Sequence, residues 1–79
     1  MTPRLIGILS EVARFHEANG YAPSLADIGS VVGLSSKSTV RVHLSTLRHW
    51  GYVDWNPTTA RSVRLTDAGK VYLWKIDKT

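Results

Sequence analysis

Ser38, Arg41, Ser45 and Arg48 recur at intervals of three and four residues, so a helix would carry them on one stripe. Short hydroxyls let a helix approach base edges and phosphates closely. An arginine at such a surface can bond guanine through two donors at once. Lys37 adds a further positive charge, and no carboxylate lies between Ser35 and Gly51. A helix that only meets water usually mixes both charge signs. The stripe therefore predicts a surface offered to a polyanion.

Such a stripe needs elements that hold it. Val40, Leu44 and Leu47 form the opposite, apolar face of the same helix. That helix opens at Ser35 or Ser36, either a good N-cap, and Gly51 ends it. Upstream, Leu25, Ile28 and Val32 mark a shorter helix. Ser24 caps it, with Asp27 able to complete a capping box. Gly33 is suited to the left-handed residue just past its end. Gly29 costs stability in mid-helix, which makes sense if another backbone crosses closely there. The pattern is a helix-turn-helix.

The run from Gly20 to Val53 resembles the N-terminal DNA-binding domain of the LexA repressor family. The residues that carry the resemblance are Gly20-Tyr21-Ala22-Pro23-Ser24, Gly33-Leu34-Ser35-Ser36, Val40-Arg41-Val42-His43-Leu44 and Trp50-Gly51-Tyr52-Val53. The likeness extends over about Leu5 to Leu65. It implies a winged helix that binds double-stranded DNA as a small transcriptional repressor, its third helix in the major groove. Ser36, Ser38, Thr39, Arg41 and Val42 fall on the base-contacting positions of the family motif, Val42 suited to a thymine methyl. Lys37, Ser45 and Arg48 lie nearer phosphates. Lys37, Arg41 and Val42 differ from the family's own residues, so the LexA operator does not carry over. LexA proteins continue into a Ser-Lys autoprotease domain that also dimerises them. This sequence holds no such domain, and no self-cleavage is expected.

The rest of the sequence fits around that motif. Thr2 and Pro3 can open a first helix, whose stripe is Leu5, Ile8, Leu9, Val12 and Phe15, with Arg4, Glu11, Arg14 and Glu17 toward solvent. It stops near Asn19-Gly20. Tyr21-Ala22-Pro23 is expected as a very short strand. Tyr52 to Trp55 and Arg61 to Thr66 read as two strands around the turn Asn56-Pro57-Thr58-Thr59-Ala60. This hairpin is the expected wing. Thr58, Thr59, Arg61 and Arg64 are its candidates for the DNA backbone or minor groove. Trp55 is expected to serve packing. Thr66 can cap a last short helix with Val71, Tyr72, Leu73, Trp74 and Ile76. Those residues are more apolar than one face can bury, which suggests a homodimer through this helix.

Composition narrows the field. With 79 residues the chain is one domain with one small core, an α+β winged helix-turn-helix: a three-helix core, a small antiparallel hairpin and a short C-terminal helix. Hydrophobic residues make up 43%, and 10 Lys and Arg face 6 Asp and Glu for a net charge of +4. That balance fits a nucleic-acid partner. Cysteine is absent, and His16, His43 and His49 lack metal-ligand spacing. No cofactor, metal or small-molecule ligand is expected. No phosphate loop or nucleophile elbow points to an enzyme. No signal peptide or membrane-spanning run is visible, so a cytoplasmic, nucleoid-associated protein is expected. Two rivals share the fold: an excisionase-like factor of a mobile element that bends DNA, and a protein-binding winged helix such as an anti-repressor.

Overall fold

The computed structural model describes residues 1–77. In chain order these form α1 (Pro3–Asn19), α2 (Leu25–Val32), α3 (Lys37–His49), β1 (Val53–Asp54), β2 (Arg64–Leu65) and α4 (Asp67–Asp77). Helix α1 packs across α2, β2 and α4, and α3 packs against α2 and β1. The strands pair antiparallel, Val53 opposite Leu65 and Asp54 opposite Arg64.

Each helix starts where its capping chemistry says it should. The Thr2 hydroxyl accepts the Leu5 N–H ahead of α1. Ser24 and Asp27 make a reciprocal capping box at α2, each bond 3.0 Å long. Ser36 caps α3 by accepting the Thr39 N–H at 3.4 Å. Thr66 opens α4, accepting from the Gly69 N–H and donating to the Gly51 carbonyl. A cap of this kind contributes about 1 kcal/mol. Helix α2 ends on Gly33, whose φ of 78° is left-handed.

The core is the union of the three apolar stripes. Leu5, Ile8, Leu9 and Val12 of α1 meet Ile28 of α2 and Val40, Leu44 and Leu47 of α3. Val53 and Val63 close it from the wing side. A fully buried side chain such as Leu44 contributes about 1.5–3 kcal/mol by leaving water. Gly29 is buried where the turn after α2 folds back over it: the Leu34 N–H donates to the Gly29 carbonyl at 2.8 Å. A Cβ at Gly29 would collide with the Leu34 carbonyl oxygen.

Three expectations change. Tyr21-Ala22-Pro23 is not a strand, because no neighbouring strand offers it a ladder; Pro23 is simply buried there. The two strands are two residues each rather than four and six, since the Ser62 hydroxyl takes up the Asn56 backbone N–H and carbonyl in place of ladder bonds. Gly51 ends α3 as expected: the helix runs to His49, Trp50 caps it, and Gly51 follows in the left-handed conformation at φ 83°. Glu11 is 3% exposed rather than solvated, because its carboxylate takes two bonds from Arg14 at 2.7 and 2.6 Å.

Candidate nucleic-acid interface

Helix α3 lies with Val40, Leu44 and Leu47 inward, which turns Ser38, Arg41, Val42, Ser45 and Arg48 outward together. All five are exposed, as are Ser36 and Lys37 at the helix start, while Thr39 is half-buried. Val42 is 62% exposed and sets an apolar side chain among the polar ones of this face. The helix contains no acid. Its outer face offers hydroxyls, one methyl pair and three cations.

The wing is a small, self-closed loop beside that face. The Ser62 hydroxyl accepts the Asn56 N–H at 3.0 Å and donates to the Asn56 carbonyl at 2.8 Å. The Asn56 side-chain oxygen takes the Thr58 N–H and hydroxyl, at 3.0 and 2.7 Å, in an Asx turn. The Thr58 hydroxyl proton is thus spent within the wing, leaving its oxygen to accept. Thr58, Thr59 and Ala60 form the exposed tip.

Two α3 arginines hold the loop against the helix. Arg41 Nη1 donates to the Pro57 carbonyl at 3.1 Å, and Arg48 Nη1 to the Trp55 carbonyl at 3.0 Å. The Arg48 guanidinium also lies 5.5 Å from the Trp55 ring centroid, a cation–π arrangement. A guanidinium has five N–H donors, so each arginine keeps most of its capacity for another partner. Between α3, the wing and the start of α2 runs a groove of about 370 Å³, with Ser24, Lys37, Arg41, Thr58 and Thr59 in its wall.

The two arginines expected on the wing, Arg61 and Arg64, take different directions. Arg61 adopts a left-handed backbone, φ 54°, and turns back onto the body. Its Nη1 donates to the Ala22 carbonyl at 3.1 Å and to Asp27 Oδ2 at 3.0 Å. Its guanidinium lies 5.0 Å from the Tyr21 ring and 5.9 Å from that of Phe15. Arg64 lines a different groove, between α1, β2 and α4, with Val12, His16, Glu17 and Lys70. Arg61 still borders the groove that Lys37 and Arg41 line, whereas Arg64 does not. Trp55 is half-buried and packs against the core.

Asp27 does more than cap α2: it also meets Arg61 of the wing. Its carboxyl is held below the usual carboxylate range, first by the Ser24 backbone N–H, then by the Ser24 hydroxyl and Arg61 against some desolvation. The capping spacing was visible in the chain; the bond to a residue in the wing had no local signal. On α4, Tyr72 turns inward against Tyr52, ring centroids 5.2 Å apart, and Leu73 also packs on the core. Val71 and Trp74 are 50% and 61% exposed.

A helix-turn-helix whose second helix shows an acid-free polar face beside a hairpin defines a winged helix of the DNA-binding class. The chain belongs to the LexA DNA-binding domain family, whose model matches residues 1–62. It is 38% identical to the LexA repressor of Desulfitobacterium hafniense over 68 residues, 86% of this chain and 33% of that protein. It is 43% identical over 60 residues to the LexA repressor of Halalkalibacterium halodurans, covering 76% of this chain and 29% of that one. With the LexA repressor of Pediococcus pentosaceus the identity is 33% over 78 residues, 99% and 37% of the two chains. The chain thus spans about a third of the length of the curated relatives it matches. A solved crystal structure of a hypothetical protein shares the fold, with a TM-score of 0.77 and 22% identity over 96% of this chain and 24% of that one. Among the described residues no helix is long and apolar enough to cross a membrane.

Proposed function

We propose that the chain binds double-stranded DNA in a sequence-specific way as a transcriptional repressor, within the cytoplasm at the nucleoid. The observation that carries this is the exposed, acid-free face of α3 set beside the wing. Ser36, Ser38, Thr39, Arg41 and Val42 meet base edges in the major groove. Lys37, Ser45, Arg48 and the tip residues Thr58 and Thr59 meet the backbone next to it. Its LexA repressor relatives share this reading by name. No enzymatic role is part of the proposal.

The test is a salt titration of duplex binding. Lys37, Arg41 and Arg48 are the cations on this face, so log K should fall against log salt with a slope of about −2 to −3 per monomer. A flat response would remove DNA as the partner and favour a protein-binding winged helix.

The proposal extends to a two-fold dimer through Val71 and Trp74 of α4. One small domain reads few base pairs, and a second copy would double the site into a palindrome with half-sites about one turn apart. Tyr72 and Leu73 pack on the core, and Val71 and Trp74 are 50% and 61% exposed on the same helix. Sedimentation equilibrium on DNA should show two chains per site for wild type and one for Trp74→Ala. A wild type that stays monomeric free and bound, with a variant that only melts earlier, would end the dimer.

A further inference from the structure

We infer that Asp27 and Arg61 are positioning residues that fasten the wing to the start of α2, so that an acid near the DNA-facing groove strengthens binding instead of opposing it. This rests on the DNA-binding reading above. Asp27 lies in the capping box, and its Oδ2 accepts from both the Ser24 N–H and Arg61 Nη1, each at 3.0 Å. The same Nη1 donates to the Ala22 carbonyl, and two aromatic rings from α1 and the following loop flank the guanidinium. The wing is therefore held on two sides: by Arg41 and Arg48 toward α3, and by Arg61 toward α2.

The arrangement has a cost that argues for a purpose. Arg61 is the one described residue other than glycine with a positive φ. Such a backbone is unfavourable for a side chain with a Cβ, and it persists where surroundings enforce it. The pair is half-exposed, 44% for Arg61 and 32% for Asp27, so as a simple ion pair it adds little stability. What it fixes is the angle of the loop that carries Thr58 and Thr59.

The sign of one substitution decides the matter. By charge alone, Asp27→Asn would strengthen binding to a polyanion. If Asp27 anchors the wing, the same change weakens binding about two- to fivefold, the range of a half-exposed pair. Thr2→Ala removes the cap of α1, away from the groove and the Asp27–Arg61 contact, and should leave affinity near wild type while lowering the melting temperature. Arg61→Lys keeps the charge and loses the planar fork. It should weaken binding with an unchanged salt slope, and the double variant should be no worse than either single one. A readout without DNA separates this inference from the binding proposal. Amide exchange of Thr58 and Thr59, both bonded to Asn56, should quicken in Asp27→Asn and Arg61→Lys and not in Thr2→Ala. Unchanged wing exchange, or tighter DNA binding by Asp27→Asn, would overturn the anchor. A wild type that ignores DNA while wing exchange responds as described would overturn the DNA reading and leave the anchor standing.

Discussion

Replacing Gly29 with alanine is expected to destabilise the domain by about 2–3 kcal/mol, in the upper part of the range for over-packed sites. Helix propensity argues for the opposite sign. An alanine in mid-helix gains about 1 kcal/mol over glycine. Packing overrules it here, because the new Cβ would strike the Leu34 carbonyl oxygen and sit against Val40 Cγ2 at 3.6 Å. The carbonyl belongs to the turn that sets α3 on α2, and backbone cannot rotate aside as a side chain would. A domain of this size has only about 4–12 kcal/mol in total, so the melting temperature should fall by roughly 10–20 °C. Thermal unfolding by circular dichroism measures this. A variant as stable as wild type, or more so, would show that the turn does not need so close an approach.

Arg41→Ala should cost about 1–3 kcal/mol on the preferred duplex and much less on random DNA. Arg41 stands in mid-stripe on the exposed face of α3, and its contact in the free protein is a single bond to the Pro57 carbonyl. Four guanidinium N–H groups remain for a base, enough for the two-donor bond to guanine. Lys37→Ala, by contrast, should weaken both duplexes by similar factors and lower the salt slope by about one. Titrating each variant against both DNAs by fluorescence anisotropy separates the two. Equal losses for Arg41→Ala on both would assign that side chain to the backbone.

Much of this was legible in the chain because the signals are local. The period of Val40, Leu44 and Leu47 puts Arg41 and Val42 outward whatever α3 packs on. Ser24, Thr66 and Gly33 act within four residues of themselves, so capping rules reach them. Gly29 was readable as a close approach, since nothing else explains a glycine there. Arg61 and Asp27 were not readable as a pair. They lie 34 positions apart, and nothing in their neighbours says which exposed arginine will find which acceptor. Arg64 was assigned to the wing face by strand membership alone; its side chain follows the strand to the α1 and α4 side. The strands were overestimated for a related reason. Aromatic and β-branched runs signal extended chain, while Asn56 and Ser62 decide how much of it pairs.

The most direct test of the DNA-reading face is selection of bound sequences from a random duplex library by the wild-type chain and by Arg41→Ala. Wild type should enrich a defined motif containing at least one required guanine, and Arg41→Ala should lose that guanine while keeping the other positions. A wild type that enriches nothing above the starting library would contradict the assignment of α3 as a recognition helix.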